Sequence, residues 1–372
     1  MSGTDHERAE EHAVVGPDVP EQSRPTVVVA THLTVRQLAT GIAVLVAVIV
    51  VGITVGAVDL GPGAVVLELL DGIPGMALDS GLDPAAQNIL WKLRVPRVVL
   101  GGLVGASLAT AGAAYQGVFR NPLADPYLLG AASGAGLAAV ISIAWLPDVL
   151  PGGLTLPVFA FVGALLGVGM TWVVASSTDR GASPTSLILA GVAVTYFLTA
   201  GTTWIQQRNV ETIQEVYGFI LGQLGTSGWS EVLTLAVPGA IALVVILMHR
   251  RTLDVLAVGE REASSLGVDA VRTRIVVIAA ASLATAAAVA VSGLIGFVGV
   301  VVPHAVRLAI GGSYRLVLPL SILYGAAFLI IADVLARTVV APAELPIGVI
   351  TALIGAPFFA WVLRRGRAGI TS

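Results

Sequence analysis

The 372-residue sequence contains no cysteine, which excludes disulfides, a thiolate nucleophile and any cysteine-held metal. Charge is scarce too. Asp, Glu, Lys and Arg make up 12% of the chain against 56% apolar residues, whereas a soluble domain carries roughly 25% charge. Composition alone therefore places the chain among polytopic membrane proteins. Lysine is almost missing, one of twenty cations, and with a net charge of −3 and no basic run nothing points to a nucleic-acid partner. Neither G-x-x-x-x-G-K-[ST] nor H-E-x-x-H occurs. The chain has no phosphate-binding loop with which to hydrolyse ATP, so energy for active transport must come from a partner.

What is present is a series of apolar runs. Residues 1–33 read as a polar, acid-rich disordered tail without the basic start and short apolar core of a signal peptide. Spans of roughly 20 apolar residues follow at 38–58, 96–118, 127–146, 156–175, 184–204, 231–249, 273–291, 294–311, 316–336 and 346–363. A ten-helix transmembrane domain thus occupies 34–366, with a cytoplasmic loop at 252–272 and a short tail at 367–372. Ten spans put both termini on one side. If that side is the cytoplasm, Arg36, Arg120, Arg180, Arg250, Arg251, Arg261, Arg272, Arg274, Arg307, Arg315, Arg364, Arg365 and Arg367 lie inside. Only Lys92, Arg94, Arg97, Arg208 and Arg337 lie outside, as the positive-inside bias requires. For any one of the outer five, snorkelling to the interface is the plainer explanation.

The 43 glycines include Gly101-x-x-x-Gly105, Gly130-x-x-x-Gly134 and Gly163-x-x-x-Gly167, spacings that let helices approach closely in lipid. ASLATAG at 106–112 returns as ASLATAA at 281–287, with Arg97 and Arg272 each nine residues upstream. Five spans separate the copies, so the halves would be inverted repeats, a common transporter architecture; chance likeness of two Ala-rich helices is the alternative. An ion-coupled carrier needs charge at mid-membrane. The spans offer little beyond Asp333, whose neighbour Arg337 at i+4 makes a structural ion pair at a helix end the favoured reading. His304 reads as a packing residue. The polar stretch TLDVLAVGEREASSLGVDAVRTR, 252–274, forms one or two short helices broken at Gly267. It is either a solvated connector or a segment lying against a soluble partner.

RVPRVVLGGLVGASLATAGAAYQGVFRNPLADPYLLGAASGAG (94–136), GLIGFVGVVVPHAVRLAIG (293–311), ADVLAR (332–337) and ELPIGVITALIGAPFFAWVLRR (344–365) resemble, in order, the signatures of the FecCD-type permeases. These import iron–siderophore, haem or cobalamin through ABC transporters. The resemblance implies an all-α, type II ABC importer permease fold in the cell membrane, with both termini cytoplasmic. It also implies a second permease subunit, two cytoplasmic ABC ATPases that use ATP and Mg²⁺, and an extracytoplasmic binding protein. The chain itself would hold no metal or cofactor and no catalytic residue.

Carried over residue by residue, Arg94, Arg97 and Arg337 dock onto carboxylates of the binding protein. The stretch Glu262-Ala263-Ser264-Ser265-Leu266-Gly267 resembles the E-A-x-x-L-G pattern seated in the ATPase, with Glu262 pairing a basic residue, Leu266 filling an apolar pocket and Gly267 allowing a turn. Asn121-Pro122 and Asp125-Pro126 shape a tight cytoplasmic turn. YGFILGQLGTSGW (217–229) resembles the family's W-x-x-G-S-L segment, with Tyr217 and Gln223 where Trp and Ser are common.

Overall fold

The computed structural model describes residues 32–56, 58, 60–72, 78–146, 149–178, 182–225 and 228–368. The tail expected at 1–33 lies outside them save for its last two residues, as does the C-terminal tail beyond Ala368. The described residues form helices and no strands. In chain order these are α1 (Val35–Thr54), α2 (Pro62–Asp71), α3 (Pro84–Ile89), α4 (Val95–Phe119), α5 (Ala131–Trp145), α6 (Thr155–Ser176), α7 (Pro184–Arg208) and α8 (Ile213–Leu221). Then come α9 (Ser230–Met248), α10 (Arg250–Val258), α11 (Glu260–Ser265), α12 (Ala270–Ser292), α13 (Val298–Ile310), α14 (Tyr314–Thr338) and α15 (Ile347–Ala368).

Each of the ten expected spans overlaps one of these helices: α1, α4–α7, α9 and α12–α15. Thr34 opens α1 with a capping box, its hydroxyl accepting the Gln37 N–H while the Gln37 amide oxygen accepts the Thr34 N–H. Two spans differ from expectation. The run at 294–311 is helical only from Val298, so α13 has 13 residues, and α5 has 15; both are shorter than the roughly 20 needed to cross lipid. Non-helical backbone at such depth survives only where protein encloses it. Here the Tyr127 hydroxyl donates to the Ile295 carbonyl and accepts the Ile295 N–H, both at 3.1 Å.

Two helices are buried along nearly their whole length, α4 and α12. Residues 111–119 of α4 share a cluster with 277–284 of α12, while Leu100–Ala109 join Ala287–Val291, so the two run antiparallel. ASLATAG and ASLATAA therefore sit on helices of opposite direction, as an inverted repeat requires. Tyr115 and Ser282 hydroxyls meet between them at 2.6 Å. Around this pair, α1, α6, α7 and α9 turn large apolar side chains outward, including Leu166, Phe197, Leu233 and Ile241.

The glycine spacings work as contacts. Added Cβ atoms on Gly134 and Gly167 would sit 2.1 Å from the Gly163 carbonyl and 2.3 Å from the Gly130 carbonyl. The second and third motifs thus interlock as α5 packs on α6. Gly105 of the first faces the Gly325 carbonyl of α14 in the same way, at 2.2 Å.

Candidate functional site

At the end of the molecule where α4 begins, α3 runs through a π-helical turn, Leu90–Arg94, into α4. Pro96 has no N–H for the carbonyl four residues back, and at this point Val95 bonds Leu90 instead. Beside the turn, the buried Glu68 carboxylate of α2 accepts from Trp91 Nε1 at 3.1 Å, Gln87 and Ser80, tying α2 to α3. This cap of short helices was missed in the sequence, although Gly61-Pro62 and Asp83-Pro84 are helix-start signals.

The three arginines singled out from the sequence converge here, in two roles. Arg94 and Arg337 are buried. Arg94 donates to the carbonyls of Ile53 and Thr54 at 3.0 Å and to that of Val58. Arg337 donates to Gly52 and Val55, both at 3.1 Å. These include carbonyls that the last turn of α1 leaves without partners, and a cation there also suits the helix dipole. Arg97, half-buried, forks between two carboxylates. Its Nε and Nη2 reach Asp333 Oδ1 at 3.0 and 2.9 Å; Nη1 and Nη2 reach Glu344 at 3.1 and 2.8 Å. Asp333 Oδ2 lies 2.9 Å from Arg337 Nε, though that N–H points off the line between them, leaving an ion contact without a hydrogen bond.

Next to this cluster three elements meet through backbone. Gln223 N–H bonds the Ser292 carbonyl, Leu294 N–H the Phe219 carbonyl and Ile347 N–H the Gly222 carbonyl, at 2.9–3.1 Å. The segment containing Gln223 therefore joins the ends of α8 and α12 to the start of α15. Tyr217 on α8 is exposed.

The opposite end of α14 carries the second site. Asp254 of α10 accepts the Ser313 hydroxyl at 2.8 Å and the Tyr314 N–H at 2.5 Å, and lies 3.4 Å from Arg315 Nε. It thus caps α14 from the 250–265 segment. Arg274 pairs with Glu260, fixing α11 to α12. The expected pattern is largely surface: Glu262 and Leu266 are exposed, Leu266 at 69%, and Ala263 is fully buried. The break between the short helices falls at Gly259, not at Gly267. Gly267, with φ 77°, ends α11 instead: Val268 N–H bonds Ala263 and Gly267 N–H bonds Ser264, a Schellman motif that needs a left-handed residue.

The turn between α4 and α5 is built from two side-chain caps. Asn121 Oδ1 accepts the Leu123 N–H at 2.9 Å and Asp125 Oδ1 accepts the Tyr127 N–H at 2.8 Å, while Pro122 and Pro126 block helical continuation. Burial pushes the Asp125 carboxyl up to about 6, against the pull of the Tyr127 N–H. Gln116 above it donates to the Gly299 carbonyl at 3.0 Å and accepts from Arg307, joining α4 to α13.

The described chain is thus a multi-pass helical membrane protein with an ionic cluster at one end of α14 and a capped pair of short helices at the other. It belongs to the FecCD transport family, whose model matches residues 44–365. It is 43% identical over 289 residues to an uncharacterized ABC transporter permease protein of Bacillus subtilis, YvrB, covering 77% of this chain and 82% of the relative. With the cobalamin import system permease protein BtuC of Halobacterium salinarum, identity is 45% over 288 residues, 77% and 76% of the two chains. With the hemin transport system permease protein HmuU of Yersinia pestis it is 39% over 298 residues, 78% and 87%. A solved structure described as a metal-chelate type ABC transporter in an inward-facing conformation superposes with a TM-score of 0.76 at 27% identity, covering 89% of this chain and 99% of that one.

Proposed function

We propose that this chain is the membrane subunit of an ATP-driven importer of a bulky metal chelate, an iron(III)–siderophore complex, with cobalamin or haem as the alternative cargo. Relatives named for cobalamin, hemin and Fe(3+)-citrate import support the class and leave the cargo open. In this reading the permease pairs with a second copy or close paralogue, two cytoplasmic ATPases use ATP and Mg²⁺, and both termini are cytoplasmic. The chain performs no catalysis and holds no cofactor of its own.

The observation that carries the reading is the organisation of α14. One helix, roughly 35 Å from Tyr314 to Arg337 at 1.5 Å per residue, is held at its inner end by the coupling segment and at its outer end by the arginine cluster. Docking of the binding protein falls at the outer end. There Arg97 offers its fork, while Arg94 and Arg337 hold the end of α1 and add positive field, which steers an acidic partner. Leu266 and Glu262 face the ATPase. An ion-coupled carrier is disfavoured because Asp333 is already committed to Arg97 and contacts Arg337, and the His304 ring packs edge-on against Phe358.

The deciding experiment reconstitutes permease, ATPase and binding protein in liposomes and dissipates the proton gradient. Continued uptake with ATP supports the proposal; uptake that needs the gradient and ignores ATP contradicts it.

A further inference from the structure

Arg97 serves two carboxylates of unlike standing. Asp333, on the neighbouring helix, is 2% exposed, whereas Glu344, in the connection between α14 and α15, is 52% exposed. The backbone on either side of Glu344 is fixed: Ala343 N–H bonds Val340 and Leu345 N–H bonds Ala336, at 3.1 and 2.9 Å. Glu344 can leave Arg97 by rotating its side chain alone, and an exposed ion pair of this kind contributes little to stability. Asp333 has no such freedom. Arg97 therefore keeps one side of its fork permanently filled, while the other holds an acid open to water on the face assigned to docking.

We propose that Glu344 is a displaceable internal counter-ion. In the free permease it fills the seat on Arg97 that a carboxylate of the binding protein takes on docking, keeping the guanidinium aligned and shielded until then. Docking is an exchange of one carboxylate for another on a pre-formed bidentate site. Departure of Glu344 leaves the outer cluster one charge more positive, so the exchange draws an acidic surface and is weakened by salt. Glu344 also lies three residues before Ile347, whose N–H bonds Gly222, so its release acts next to the junction of α8, α12 and α15.

This inference rests on the docking reading of Arg97, and the experiment separates the two. The full transporter, permease with its ATPase, is placed in nanodiscs and titrated with its cognate binding protein, free of cargo. Removal of the competitor in Glu344→Gln is expected to tighten binding three- to ten-fold and to steepen its salt dependence. Arg97→Gln is expected to weaken binding, and Arg97→Gln/Glu344→Gln to behave as Arg97→Gln alone. Arg97→Lys, which keeps a charge beside Asp333 but loses the fork, covers the case in which Arg97→Gln does not fold. Unchanged or weaker binding by Glu344→Gln, with Arg97→Gln or Arg97→Lys still impaired, overturns the exchange and leaves docking standing. Wild-type binding by both Arg97 variants overturns the docking reading, and the exchange with it.

Discussion

Asp254 on α10 accepts the N–H of Tyr314, the first residue of α14, and the hydroxyl of Ser313 before it. The end of α14 opposite Asp333 and Arg337 is therefore held by the segment that the proposed function assigns to the ATPase. Asp254→Ala removes an N-terminal cap, at a cost of about 1 kcal/mol. It is expected to lower uptake per ATP hydrolysed five-fold or more while hydrolysis continues. Asp254→Asn, whose oxygen still accepts the Tyr314 N–H while its amide NH2 can donate to the Ser313 hydroxyl, should stay near wild type. The measurement is the ratio of uptake to phosphate release in proteoliposomes. A normal ratio for Asp254→Ala would sink the coupling role.

Leu266 is largely exposed, so its loss should leave the permease intact. Leu266→Asp is expected to reduce co-purification of the ATPase at least ten-fold, with unchanged thermal stability of the isolated permease. Full recovery of the ATPase with this variant would remove Leu266 from the contact.

The interlocked glycines of α5 and α6 give a prediction about the fold itself. A side chain on Gly134 meets the Gly163 carbonyl, and overpacking of this kind costs about 1–3 kcal/mol or more. Gly134→Val is expected to lower the unfolding temperature sharply or abolish recovery of folded protein. Gly169, on the same α6 but with nothing within 4 Å of an added Cβ, is the control. Gly169→Ala should be neutral or stabilising by up to about 1 kcal/mol. Equal behaviour of the two variants in a thermal-unfolding assay would contradict the packing described.

Asp125 supplies a pH dependence. Its folded-state carboxyl titrates near 6, above the ordinary 3.8, so the folded chain holds this proton more tightly than the unfolded chain does. Its contribution to stability is therefore full below about pH 4, declines between about 4 and 6, and is lost above, with a slope of at most about 1.4 kcal/mol per pH unit. Asp125→Asn, whose amide oxygen still accepts the Tyr127 N–H, is expected to remove that slope and to be no less stable at pH 7. Unfolding curves from pH 4 to 7 that run parallel for the two proteins would contradict the assignment.

Span positions were legible because apolar runs of membrane length leave few alternatives, and the G-x-x-x-G pairs because only glycine permits such contact. Counting charge by side set Arg94, Arg97 and Arg337 among five cations, and the resemblance to the FecCD-type permeases singled out these three. Their division of labour was not legible. Nothing local marks Arg94 as a cap for α1, whose carbonyls lie about forty residues earlier, or Arg97 as a fork between Asp333 and Glu344. Asp254 escaped notice for the same reason: its partners, Ser313 and Tyr314, are sixty residues away and come near only when α10 folds back. The unwound start of α13 was hidden by composition, since Leu294–Phe297 are as apolar as a helix; the Tyr127 hydroxyl at Ile295 and the Phe219 carbonyl at the Leu294 N–H explain why that backbone is tolerated.

Sidedness is what the docking and coupling roles both require, and the absence of cysteine makes it directly measurable. Single cysteines at Lys92, exposed near the arginine cluster, and at Ser264, exposed on α11, are treated with a membrane-impermeant maleimide in intact cells. Position 92 should label at once and position 264 only after permeabilisation. Labelling of 264 in intact cells with 92 protected would contradict the whole arrangement.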